Sequence, residues 1–161
     1  MDHQKYSFDF EVYNSIDELS KEDAQLLLEA QAVTINAYAP YSNFHVGAIA
    51  LLANGKTITG TNQENASYPV GICAERVLLS ALSSVYPGVA IETIAISYQS
   101  ENIKSDRPIT PCGMCRQALV EQENRFQHPI RLLLGGKEGK VFIIPKASLL
   151  LPFGFSSDDL T

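Results

Sequence analysis

A chain of 161 residues, 45% hydrophobic and 19% charged, can bury a core without staples and points to one domain, residues 1–161. Its formal charge of −6, with Lys and Arg scattered rather than gathered into a stripe, argues against a nucleic-acid partner. No run approaches the roughly 18 apolar residues of a membrane span. The polar, acidic start lacks the basic-then-apolar plan of a secretory signal, so a soluble, cytoplasmic protein is expected.

Tyr6, Phe8, Phe10 and Val12 alternate with polar residues, which predicts a strand. Ser20 and Asp23 suit a helix start, and Leu26, Leu27, Ala30, Val33 and Ala37 then recur at helical spacing until Pro40 stops them. Two apolar runs around Asn54-Gly55, residues 44–52 and 56–62, read as a hairpin. Residues 73–85 carry helical periodicity through Val77, Leu78, Ala81 and Leu82, and Pro87-Gly88 ends it. A strand at 90–98 follows, then a helix starting near Cys112 with Leu119 and Phe126 on its inner face. Strands at 130–136 and 140–145 come next, and the tail reads as a short helical turn followed by a loop. Strands alternating with helices predict a sheet covered on both faces, an α/β fold of three α/β/α layers.

Three cysteines make a poor disulfide framework, and free Cys is commonly a small buried hydrophobe. Their spacing points elsewhere. Cys112 and Cys115, in Pro-Cys-Gly-Met-Cys, share one face of a helix start and can share a metal. A redox pair is the alternative, but such pairs sit near the chain start, and here a third residue, Cys73, opens another helix. Three thiolates form an incomplete tetrahedron, which is how catalytic zinc sites leave one position to water. His3, His45 and His128 are read as surface or core residues. Helix N-termini lower thiol pKa, and Arg76, in preference to Arg116, is placed to tune the sulfur charge from outside the ligand set. Glu75 follows Cys73 by two residues. A first-turn Glu is common on helices, but beside a metal it can take a proton from water and return it to a substrate.

The sequence resembles the small homotetrameric cytidine deaminases of nucleoside salvage. The resemblance is carried by Ala39-Pro-Tyr-Ser-Asn-Phe-His-Val-Gly47, Thr61-Asn-Gln-Glu-Asn-Ala-Ser-Tyr-Pro69, Gly71-Ile-Cys-Ala-Glu-Arg76, Pro111-Cys-Gly-Met-Cys-Arg-Gln117 and Leu151-Pro-Phe-Gly-Phe155. It implies a mixed central sheet and a Zn2+ held by Cys73, Cys112 and Cys115, with Glu75 as proton shuttle. It implies that Asn62 and Glu64 hydrogen-bond the ribose 3′-hydroxyl and that Phe44 packs on the base. Asn65, Ala66, Ser67 and Tyr68 would line the pocket, and Ala74 would offer backbone groups to the pyrimidine. Phe155 would reach the base from a neighbouring subunit, so active sites would be shared within a homotetramer. The first 24 or so residues extend beyond the family core and are expected to add an edge strand or a subunit contact.

The reaction so implied is hydrolytic removal of ammonia from cytidine or 2′-deoxycytidine. A deaminase for another aminopyrimidine, such as blasticidin S, would keep the metal motifs, but Asn62-x-Glu64 favours an unmodified ribose. A nucleic-acid module is disfavoured by the acidic charge, and a purely structural zinc protein by the lack of a fourth Cys.

Overall fold

The structure, a computed structural model, describes residues 1–160. Its elements are β1 (Glu11–Tyr13), α1 (Lys21–Val33), β2 (Phe44–Leu52), β3 (Thr57–Thr61), α2 (Ala74–Val85), β4 (Ile91–Ser100), α3 (Gly113–Phe126), β5 (Arg131–Gly135) and β6 (Val141–Ile144), with short 3₁₀ turns between them. The strands form one sheet in the order β1-β6-β5-β4-β2-β3. Only β4 and β5 run parallel, and α3 supplies the crossover such a pair needs.

Side chains alternate across each strand, so the sheet has two apolar faces. Ala48, Ala50, Ile94, Ile96, Leu132 and Leu134 pack with Leu78 and Leu82 of α2 and Leu119 of α3. Ile49, Ala95 and Leu133 pack with Leu26, Leu27 and Ala30 of α1. The result is the expected three-layer α/β fold, with α2 and α3 together on one face. Among the described residues no helix is long and apolar enough to cross a membrane.

Two close approaches set the helix heights. A Cβ on Gly47 would collide with the Ala30 carbonyl of α1, and one on Gly60 with the Ala74 carbonyl and the Leu78 backbone of α2. Gly60 therefore lets the first turn of α2 lie directly on β3. Ser20 caps α1, its hydroxyl accepting from the Asp23 amide at 3.1 Å. The Asp23 carboxylate also takes two hydrogen bonds from the Arg131 guanidinium, at 2.6 and 2.7 Å, tying the start of α1 to the start of β5. That guanidinium holds the Asp23 carboxyl below the usual carboxylate range, against the opposing effect of burial.

Three expectations need correction. The first strand covers only Glu11–Tyr13, not the region from Tyr6. Its partner β6 ends at Ile144 and Pro145 has no amide to donate, so pairing cannot continue. Tyr6, Phe8 and Phe10 instead pack ring against ring at 6.2 Å steps, and Phe10 meets Phe142 at 5.2 Å. The added edge strand is present, in shortened form. Helix α1 ends at Val33 rather than near Ala37. There the Thr34 hydroxyl donates to the Gln31 carbonyl and the chain tightens into a 3₁₀ turn, Thr34–Asn36. The tail holds a second 3₁₀ turn at Ser157–Leu160 where a loop was expected.

Two outcomes are expected. Gly60→Ala should destabilise the fold by about 1–3 kcal/mol through overpacking and lower zinc retention, read by urea denaturation and metal analysis. Asp23→Asn should cost about 1 kcal/mol at neutral pH, allowing for solvent screening of this part-exposed pair. A lowered carboxyl stabilises above its unfolded pKa and loses that effect as pH falls through its folded pKa. The gap between wild type and Asp23→Asn should therefore close on acidification, and a gap independent of pH would count against the ion pair.

Candidate metal centre and active site

Cys73 and Cys112 are the residues immediately before the first turns of α2 and α3, both in extended backbone, and neither sulfur caps its own helix. Cys115 lies one turn into α3. The three sulfurs converge: Cys73 to Cys112 is 3.7 Å, Cys112 to Cys115 is 3.5 Å, and all lie within 4.8 Å of one another. Zinc–thiolate bonds of about 2.3 Å imply tetrahedral edges of about 3.8 Å, so the donor set fits a zinc ion with its fourth position open. Among the described residues these three are the only such metal-donor group. His128 is instead paired with Glu92 at 3.1 Å.

Without a cation the sulfurs compete for protons. The Cys73 thiol is lowered to about 6, chiefly by the hydrogen bond from Cys115, with burial opposing. Cys115 is driven up, first by its hydrogen bond to Cys73 and then by burial. Zinc binds cysteine as thiolate, so a divalent cation would complete this cluster. Glu75, in the first turn of α2, is only 5% exposed, and burial raises its carboxyl above the usual range. Hydrogen bonds from its own amide and from Cys115 oppose that rise, which places the carboxyl beside the sulfur cluster.

Arg76 makes its sulfur contact outside the cysteine set. Its guanidinium reaches the Met114 Sδ at 3.9 Å, while its charge helps lower Cys73. Arg116, the other candidate, donates to the Pro111 carbonyl, the Leu150 carbonyl and the Thr110 hydroxyl at 2.8, 2.9 and 3.0 Å, so it fixes the loop entering Cys112.

Of the remaining residues, Glu64, Asn65 and Tyr68 line one cavity. A cavity of about 320 Å³ is lined by Tyr41, Ser42, Glu64, Asn65, Tyr68 and Gly71, at the small end of the range for ligand pockets. The cysteines are not in its wall. The loop bearing Glu64 and Asn65 is stitched to the segment entering Cys73, where Gln63 and Ile72 exchange amide and carbonyl hydrogen bonds at 2.9 and 3.0 Å. Asn62 bridges β2, its Oδ1 accepting from the Val46 amide at 2.7 Å and its Nδ2 donating to the Phe44 carbonyl at 2.8 Å. One N–H of that amide group is left for a ligand. Phe44 stacks on the buried Tyr98 with centroids 5.0 Å apart. Asn65 holds a turn by accepting from the Ser67 amide at 2.8 Å, and Ala66, Ser67 and Tyr68 form the exposed rim. Ala74 is fully buried. Phe155 lies apart from the cavity wall, 56% exposed, with its carbonyl held by Gln117 at 2.7 Å. Tyr41, Ser42 and Gly71 had no individual role in the sequence reading; they lie in or beside segments singled out there, but only the fold brings them to Glu64.

A family model, the cytidine and deoxycytidylate deaminase zinc-binding region, matches residues 20–126. The chain is 37% identical over 139 residues to cytidine deaminase from Halalkalibacterium halodurans, spanning 86% of this chain and 98% of that one. It is 35% identical to cytidine deaminase from Mycobacterium tuberculosis over 81% of this chain and 87% of that one. The crystal structure of cytidine deaminase from Burkholderia pseudomallei superposes with a TM-score of 0.70 at 38% identity, covering 85% of this chain and 100% of that one.

The purified chain is expected to carry about one zinc per chain. Chelation should lower its thermal midpoint, because the sulfurs join α2 to α3. Cys112→Ala should abolish zinc retention, and full retention in that variant, measured by elemental analysis, would remove Cys112 from the ligand set.

Proposed function

Because this chain belongs to the cytidine and deoxycytidylate deaminase family, we propose that it hydrolyses the 4-amino group of cytidine and 2′-deoxycytidine, giving uridine or 2′-deoxyuridine and ammonia. The observation that carries this reading is the buried Glu75 carboxyl beside three converging sulfurs. Zinc, when bound by Cys73, Cys112 and Cys115, supplies a Lewis acid that lowers the pKa of water toward neutrality.

Glu75 accepts a proton from water and donates it to ring N3, which makes C4 electrophilic. The hydroxide left behind adds to C4; Glu75 then takes the remaining proton from the added oxygen and delivers it to the amine, and the C4–N bond breaks as the C4 carbonyl forms. Its burial keeps competing water away from the carboxyl and raises its affinity for a proton. Asn62 and Glu64 take the ribose 3′-hydroxyl, Phe44 packs against the base, and the Ala74 backbone faces the pyrimidine. Residues 65–68 form the rim. Arg76 moderates the sulfur charge.

Phe153, Phe155, Tyr68 and Val70 leave a large share of their apolar surface exposed, which favours burial against further copies of the chain. The reading is a homotetramer in which Phe155 completes a neighbour's site, acting in cytoplasmic pyrimidine salvage.

Turnover should appear as loss of absorbance at the cytidine maximum and should stop on chelation. Glu75→Gln should keep its zinc and lose about 10²–10⁴-fold in kcat. Full activity in Glu75→Gln would end the proposed role for this carboxyl.

A further inference from the structure

Glu64 is held by more than its own loop. One carboxylate oxygen accepts from the Tyr41 amide at 2.8 Å and the Ser42 amide at 3.3 Å, and the other accepts from the Ser42 hydroxyl. The same hydroxyl accepts from the Phe44 amide at 3.1 Å. Ser42 therefore joins the carboxylate assigned to the ribose with the aromatic assigned to the base. The turn that presents it is itself clamped. Asn43 adopts a left-handed backbone (φ 52°), which swings the chain from Ser42 into β2. Behind it, beyond the end of β4, Asn102 Nδ2 donates to the Ser42 carbonyl at 2.9 Å and the Glu101 amide donates to the Asn43 carbonyl at 3.3 Å.

We propose that Ser42, backed by Asn102, is the positioning residue that makes this site select a nucleoside with a free 3′-hydroxyl. The inference rests on the cytidine reading and deepens it. Three donors on one carboxylate favour its ionised form, consistent with the Glu64 carboxyl lying below its usual range although burial acts the other way. An ionised carboxylate can only accept. The oxygen bonded by the Ser42 hydroxyl keeps a lone pair, and that lone pair is fixed in direction before a ligand arrives. It rewards a sugar O–H and repels a phosphate at that position. Without the Ser42 hydroxyl the carboxylate can rotate, and it would have to be ordered at the moment of binding.

The test measures kcat and KM for cytidine and for 3′-deoxycytidine with wild-type zinc enzyme, Ser42→Ala, Ser42→Thr and Asn102→Ala, alongside zinc content. A hydrogen bond to a charged group sets the scale, so Ser42→Ala should raise KM for cytidine about tenfold with little change in kcat and full zinc. On 3′-deoxycytidine, which lacks the hydroxyl, the loss should be much smaller. Ser42→Thr should restore most of the cytidine KM, and Asn102→Ala should show a weaker form of the same pattern. Equal losses on both substrates would reduce Ser42 to a structural part and overturn the proposal, as would an unchanged cytidine KM. If Ser42→Ala fails to fold, Asn102→Ala decides by the same comparison. Wild-type enzyme inactive on cytidine would instead overturn the functional reading itself, an outcome visible before any variant is compared.

Discussion

Everything in this molecule turns on bringing the starts of two helices together on one face of the sheet. Cys73 and Cys112 each precede a first turn, yet neither sulfur bonds its own helix amides. The positive ends of both helix dipoles therefore lie where the sulfurs converge. Two helix ends stabilise thiolates less well than a divalent ion does, but they favour the same charge in the same place. Helix α2 can lie so close to β3 because Gly60 carries no side chain to lift it.

The second helix is held by Arg116, next to Cys115 in sequence, and by groups farther from the ligands. Arg116 fastens the Thr110–Pro111 approach to the tail at Leu150. Glu123, only 3% exposed, accepts from the amides of Ile130, Ala147 and Ser148 at 2.8, 2.9 and 3.2 Å. A buried carboxylate is tolerable when its oxygens are so occupied. Tyr6 adds a bond from the N-terminal segment to the Leu149 carbonyl at 3.0 Å. The tail that leads to Phe155 is thus braced from α3 and from the added N-terminal segment.

How much of this was legible follows from the range of each interaction. The three cysteines and Glu75 were readable because their spacing places them at helix starts, where local geometry decides orientation. A sheet covered on both faces was readable from strands alternating with helices, β2, β4 and β5 being largely continuous apolar runs. The first strand was misjudged because period-two alternation says nothing about whether a partner strand is present, and here Pro145 ends the partner. Asp23 and Arg131 lie 108 residues apart, so their pairing has no local signature. Glu123 and Arg116 sit on a helix that reads as amphipathic, and nothing in its periodicity distinguishes a solvated charge from one folded over by the tail. Ser42 was visible only as part of a motif. Its bonds to a residue 22 positions away require the fold.

These observations divide the site into parts built on different principles. The metal floor is made of helix starts on a packed sheet, where small displacements are resisted by the core on both sides. The wall proposed for the sugar is a turn and a loop, residues 39–43 and 61–68, held by hydrogen bonds to backbone and by the bridge at Gln63 and Ile72. Altering a hydrogen bond in that wall leaves the helices that carry the sulfurs packed on the sheet. Altering the floor changes the chemistry for every ligand. Substrate range can therefore diverge on this scaffold through residues such as Ser42 and Asn102 while Cys73, Cys112, Cys115 and Glu75 stay fixed.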